Sequence, residues 1–146
     1  MSRLRSILTA LAYLLLAGPL LAQAPGRTQA PDSLSLARQY TQWFYQGEMD
    51  SLVEHWADMT PPSPAELHKR RDFLEVKAGT EVEVIEEKFV KRKGQTQYWR
   101  TARFSGHQEP ILIRWVLDPQ GWLAGMGMSP LSAAPEIDAP GRPAVR

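Results

Sequence analysis

The residues best suited to chemistry lie in the second half of the chain. Read as paired strands, the segments around them bring Glu86 opposite Arg100, with Tyr98 and Trp115 as neighbours. A carboxylate, a guanidinium and a phenol on an otherwise apolar face could bind a small polar ligand or move a proton. In an enzyme, Glu86 would be the general base, and Tyr98 or Arg100 would stabilise the negative charge that develops. The contrasting reading is an ordinary ion pair on a projecting end of the sheet. Exposed pairs are the commoner arrangement and contribute about 0–1 kcal/mol.

Other chemistries find less support. The 146 residues include no cysteine, which excludes disulfides, thiolate metal sites and cysteine nucleophiles. The histidines are His55, His68 and His107. His55 and Asp58 share a helix side, and Glu54 and Asp58 are four apart, but no spacing supplies a third ligand, so no metal is expected. No Gly-x-Ser-x-Gly elbow presents a serine. "DPQGWLAGMGMSP", Asp118 to Pro130, contains a Gly-x-Gly. A dinucleotide loop would need a helix next, and "SPLSAAP" cannot form one. The stretch reads as a strand, and no cofactor is expected. Missing side chains at Gly125 and Gly127 would leave room beside Trp115 for an indole, a helix or a ligand. Tyr40, Phe44, Trp115, Gly125 and Gly127 are the expected pocket lining.

These residues need elements to position them. Arg3 and Arg5 precede the uncharged run "ILTALAYLLLAGPLLA", and "AQA" ends at Ala24. That order predicts a signal peptide over 1–24 and export to the periplasm or medium. An uncleaved membrane anchor is the alternative. After cleavage no membrane span is expected. Removing the two arginines leaves 15 basic residues of 17 against 16 acidic ones. A near-neutral chain does not suit a general nucleic-acid surface. Residues 25–31 read as a linker, 32–130 as one domain, and the Pro- and Ala-rich 131–146 as a disordered tail.

The domain opens with helices. Asp32 or Ser33 can cap a first helix carrying Leu34, Ala37, Tyr40, Thr41 and Phe44, ended by Gly47. Met49, Leu52, Val53 and Trp56 form the stripe of a second helix, which "TPP" stops. "SPAE" starts a third as a capping box with Pro64 at its first position, burying Leu67, Phe73 and Leu74. Four strands follow, joined by turns at 91–94, 105–108 and 118–121. The expected fold is α+β, three helices on one face of a curved four-stranded antiparallel meander.

Turn types set the expected registers. Lys91 opposite Gln95 gives Val82–Phe104, Val84–Ala102 and Glu86–Arg100. Ser105 opposite Gln108 gives Ala102–Ile111, Arg100–Ile113 and Tyr98–Trp115. Asp118 opposite Trp122 gives Leu117–Leu123, Trp115–Gly125 and Ile113–Gly127. The helix-facing side then carries Val82, Val84, Ala102, Phe104, Ile111, Ile113, Trp115, Leu117 and Leu123. Glu83, Glu87, Trp99, Thr101, Arg103, Arg114 and Met126 take the reverse side. Trp99 beside Arg114 there would suit a dimer or partner interface. "HKRR" and "KRKG" read as solvated surface.

"ARQYTQWFYQGEMDSLVEHWADM" resembles the opening helix pair of nuclear-transport-factor-2-like (SnoaL-like, cystatin-like cone) domains, with a Gly-acidic turn and the Leu52–Trp56 spacing. The closing "DPQGWLAGMGMSP" is similar to the last hairpin of small exported bacterial members. The resemblance implies a curved sheet around helices, a pocket between them and frequent homodimers. The family's Asp or His base and Tyr acid do not align onto this chain, and relatives include both enzymes and binding domains. The expectation is an exported, non-catalytic module that binds a small apolar ligand or a protein partner, such as an envelope protein, through a cone-shaped pocket or its sheet face. A cofactor-free isomerase or dehydratase with a pocket carboxylate as base is the alternative.

Overall fold

The computed structural model describes residues 32–57 and 60–138. The expected signal peptide and linker, the Asp58 partner suggested for His55, and residues 139–146 lie outside the described residues. Helix α1 (Ser33–Gln46) begins where the Asp32 carboxylate accepts the Ser35 N–H at 2.8 Å. It ends at Gly47, whose φ of 81° is a left-handed conformation that glycine adopts without strain. Helix α2 (Met49–Glu54) is shorter than its apolar stripe suggests. Beyond it, Leu123 N–H reaches the His55 carbonyl at 2.8 Å and Ala57 N–H reaches the Leu123 carbonyl at 2.7 Å. Pairing with a strand thus takes over the backbone that a longer helix would have used. Helix α3 (Pro64–Ala78) has the expected capping box: Ser63 Oγ accepts the Glu66 N–H, and the Glu66 carboxylate accepts the Ser63 N–H. Its buried side is Leu67, Leu74 and Ala78, whereas Phe73 is 62% exposed, contrary to expectation. Phe73 lies one residue, about 100° of turn, away from the contact line.

Four strands complete an α+β fold: β1 (Glu81–Arg92), β2 (Gln95–Phe104), β3 (Ile111–Leu117) and β4 (Leu123–Pro130). They form an open antiparallel sheet in the order β1-β2-β3-β4. The helices cover one face. Tyr40, Phe44, Leu52 and Leu67 share a core there with Tyr98, Ile113, Trp115 and Leu123. The middle hairpin has the expected register, with Tyr98 opposite Trp115, Arg100 opposite Ile113 and Ala102 opposite Ile111. Its turn docks on the end of α3 through Gly106 N–H to the Ala78 carbonyl at 2.8 Å.

The outer hairpins depart from expectation through their turns and bulges. Arg92, not Lys91, pairs with Gln95, and both Lys93 (φ 51°) and Gly94 (φ 76°) take positive φ. This is the two-residue hairpin geometry whose twist matches that of the strands. Bulges between Val84 and Glu86 and between Glu81 and Glu83 then reset the register. Val84 still meets Ala102, but Glu87 replaces Glu86 opposite Arg100, and Glu81 replaces Val82 opposite Phe104. Val82 and Val84, both expected on the helix-facing side, are exposed rather than core. Between β3 and β4 the expected Leu117–Leu123 pair forms, but a bulge follows between Val116 and Leu117. Val116 faces Gly125, Trp115 faces Met126 and Arg114 faces Gly127. The glycines therefore lie on the outer side, and Met126 joins the core.

Residues 131–138, the described part of the expected tail, continue the fold instead. A 3-10 turn, Leu131–Ala133, is held by Leu131 N–H to the Pro110 carbonyl and by Ser132 N–H to the Glu109 carboxylate, both at the β4 end of the sheet. At the opposite corner, Asp138 accepts the N–H groups of Lys93 and Gly94 at 3.0 and 3.1 Å, and Arg92 Nε donates to the Glu136 carbonyl at 3.1 Å. Three residues of the turn at about 2 Å each and five nearly extended ones at about 3.3 Å each span roughly 22 Å, which carries the chain from one end of the sheet to the other. The strap runs on the face opposite the helices, where Gln97, Trp99, Thr101 and Leu112 are buried. Trp99 Nε1 donates to Gln97 Oε1 at 3.0 Å, which pairs the two buried side chains with each other. Replacing Asp138 by Ala removes both acceptors at the hairpin tip and is expected to loosen it. It should also speed amide exchange at Lys93 and Gly94 by about tenfold in hydrogen-exchange NMR while leaving β3 amides protected.

Candidate functional site

Two places bring chemistry-bearing side chains together. The first is an ion network between α1 and the β1–β2 hairpin. Arg100 makes a two-pronged contact with Glu81, Nε at 3.0 Å and Nη2 at 2.6 Å, and its Nη1 meets Glu87 at 2.6 Å. Arg38, reaching from α1, grips the other side of Glu87 with Nε at 3.0 Å and Nη2 at 2.5 Å. Tyr98 donates its hydroxyl to Glu87, and Tyr45 donates its own to Glu81 at 2.6 Å. Arg100, Glu81 and Glu87 are each about 15% exposed or slightly less, so solvent screens them weakly. Arg38 is half exposed and closes the network at the surface.

The electrostatics follow from those bonds. Arg38, then Tyr98 and Arg100, holds the Glu87 carboxyl down to about 2 against the opposing effect of burial. Burial, reinforced by the bond to Glu87, pushes the Tyr98 phenol up to about 12. Burial likewise raises Tyr45, and the Glu81 contact raises Arg100. Glu87 is thus a fixed anion, and the Tyr98 and Tyr45 hydroxyls are fixed donors. An open hollow of about 600 Å³ adjoins the network between Gln42, Gln46 and Arg38.

The expected catalytic group is divided by the sheet. Tyr98 and Arg100 face the helices as anticipated, but Glu86 projects from the opposite side and pairs with Lys88 at 2.7 Å. Sequence reasoning placed Glu87 on the reverse face and did not single out Glu81 or Arg38. The alternation of "EVEVIEE" gives no sign of two bulges, although the excess of glutamates opposite one inward arginine was a usable signal. The expected pocket lining is corrected as well. Tyr40, Phe44 and Trp115 fill the space between helices and sheet: Phe44 meets Trp115 edge-on at 6.0 Å, and Trp115 Nε1 donates to Thr41 Oγ1 at 2.9 Å. Gly125 lies against Val116 on the other face. His55 sits among aromatic rings, 4.9 Å from Trp43 and stacked 5.6 Å from Trp122. Among the described residues no three His, Cys, Asp or Glu side chains converge on a metal position. Trp99 and Arg114 are cross-strand neighbours as expected, yet the indole is only 6% exposed beside the strap.

The second place is a cleft of about 550 Å³ between α3 and the β4 edge. Phe73, Leu74, Ile111, Met128 and Pro130 give it apolar walls, and Arg70, Lys77 and Arg114 reach into it. Gly127, the one expected pocket residue found here, contributes by its missing side chain. A Cβ there would stand 2.4 Å from Arg114 Nη2 and 2.9 Å from Cζ, so the guanidinium lies over the space that glycine leaves. Arg114 Nε and Ser129 Oγ are buried without a hydrogen-bond partner.

The ion network predicts a pH dependence with a definite sign. The folded pKa of Glu87 lies below its unfolded value of about 4.3, so its stabilisation is present above about pH 5 and is lost as pH falls toward 2. Glu87→Gln is expected to destabilise the fold by about 2–4 kcal/mol at pH 7, because two arginines lose their shared anion. The deficit should shrink to less than about 1 kcal/mol at pH 2.5. Urea unfolding at the two pH values measures it, and a deficit independent of pH would contradict the assignment.

Among the described residues no helix is long and apolar enough to cross a membrane. Comparison of the chain with protein-family models, with curated proteins and with solved structures finds no match.

Proposed function

We propose that the chain is an exported, non-catalytic binding module of nuclear-transport-factor-2-like type that takes a small apolar ligand in the cleft between α3 and β4. The observation that carries this reading is the cleft itself. An opening of about 550 Å³ with Phe73 62% exposed beside Leu74, Ile111 and Met128 has the size and lining of a small-molecule site. Exposed aromatic surface of this kind costs solubility unless something covers it. The order of three helices and then an open four-stranded meander supports the family reading. The basic, apolar and small-residue order of the leader supports export.

The ion network supports the non-catalytic part. Its two carboxylates are engaged by arginines and tyrosines, which commits both to bonds within the fold. The packed Tyr40–Phe44–Trp115 cluster directs ligands away from the centre of the fold and toward the α3–β4 cleft. Over the outer face the strap lies where a protein partner would dock, which favours a ligand over an envelope protein.

N-phenyl-1-naphthylamine, an uncharged probe, is expected to bind with a blue-shifted rise in fluorescence at about micromolar affinity. Phe73→Ser removes an exposed wall residue without touching the core and should weaken uptake by about tenfold. Absence of probe binding to the wild-type protein would sink the proposal.

A further inference from the structure

We infer that the cleft between α3 and β4 selects amphipathic monoanions, an apolar tail lying along α3 with its acidic head against Arg114. The inference rests on that cleft being the ligand site, as proposed above. Three cations reach the cleft, Arg70 and Lys77 from α3 and Arg114 from β3, and among the described residues no carboxylate lines it. None of the three is in a salt bridge, although the same chain gives Arg38, Arg71, Arg100 and Arg103 acidic partners.

Arg114 carries most of the argument. Its Nε is buried with nothing to donate to, and the neighbouring Ser129 Oγ is buried in the same state. A partly desolvated guanidinium without an anion is unfavourable, and the fold makes room for it at Gly127. Burial, and then the positive charge of Arg92, depresses the pKa of Arg114, so its surroundings are short of negative charge. A carboxylate in the cleft would supply the missing acceptor in the planar, forked geometry that guanidinium recognises best.

The walls fix the rest of the ligand. Arg70, Phe73, Leu74 and Lys77 occupy i, i+3, i+4 and i+7 on α3, so apolar residues lie between two cations along one helix side. Met128, Ile111 and Pro130 face them from the sheet. A single head group with a tail of roughly eight to twelve carbons suits a cleft of this size and lining. A polyanion would leave the apolar walls uncovered, and a neutral lipid would leave Arg114 unpaired.

The test uses the full chain at pH 7.5 and low salt, with bound N-phenyl-1-naphthylamine displaced by decanoate or by decanol below their aggregation limits. Decanoate is expected to displace the probe at least about tenfold more tightly than decanol, an advantage that 0.5 M salt reduces. Arg114→Gln should abolish the ratio and leave decanol within about twofold of wild type. Should that variant fail to take up probe, the exposed pair Arg70→Gln with Lys77→Gln serves instead and should reduce the ratio by about threefold or more. Equal displacement by the two ligands, or a ratio untouched by the substitutions, overturns the anion selectivity while the apolar site stands. Displacement by neither ligand, from a protein that binds the probe, overturns it too. Absence of probe binding itself removes the underlying site.

Discussion

The neutralisation of Arg100 is the constraint around which the sheet is arranged. Its guanidinium projects from β2 toward the helices, on a face otherwise given to Tyr98, Ala102 and Phe104, and must be neutralised there. Two carboxylates six residues apart, Glu81 and Glu87, do this together. On a regular strand they would be separated by about 20 Å, beyond the reach of one side chain. The two bulges compress the same six steps of β1 onto four steps of β2, from Phe104 to Arg100, or about 13 Å. Bulges that look like local irregularities are thus what allows a single arginine to be held from both sides. Arg38 adds the third dimension by tying α1 to Glu87, so helix, edge strand and inner strand share one set of charges.

That arrangement also disposes of a hazard. β1 is an edge strand, and edges invite pairing with other chains. Two bulges, the charged outward residues Glu83, Glu86 and Lys88, and the Asp138 contact at its hairpin tip make β1 a poor template. The strap extends the same protection over the outer face, where Trp99 and Leu112 would otherwise be open to water. Helices on one side and a nearly extended segment on the other make the sheet a middle layer.

What was legible in the sequence was what local chemistry decides. Asp32, Gly47, Ser63, Pro64 and Glu66 act within a few residues of themselves, so the starts of α1 and α3 and the end of α1 could be read directly. The middle hairpin was legible because apolar alternation on both strands admits one register. The first hairpin was not, because Lys93-Gly94 supports a two-residue turn as well as a longer one, and lysine is an unusual choice for positive φ. Once the turn is off by one, the roles of Glu86 and Glu87 exchange, and the candidate site moves through the sheet. The strap escaped notice for a different reason. An extended segment that crosses a sheet has no period, so "LSAAPEID" has the composition of disorder while the hydrogen bonds that fix it on the sheet lie with partners distant in sequence.

The last bulge connects the fold to the cleft. Because Val116 and Leu117 sit across a register shift, Ala124 becomes an extra residue, and everything after it turns over. Met126 and Met128 swing toward the helices, and Gly125 and Gly127 swing out. One shift thereby gives the cleft its Met128 wall and opens the space over Gly127 that Arg114 fills. Arg100 and Arg114 make the contrast plain, since both rise from inner strands of one sheet and both are largely withdrawn from water. The first is surrounded by two carboxylates and two tyrosines that took two bulges to assemble. The second has a glycine, an unpaired serine and apolar walls. A chain that rearranges a strand to neutralise one arginine, and leaves its counterpart bare at the mouth of a cleft, puts positive charge where an anion from outside can meet it.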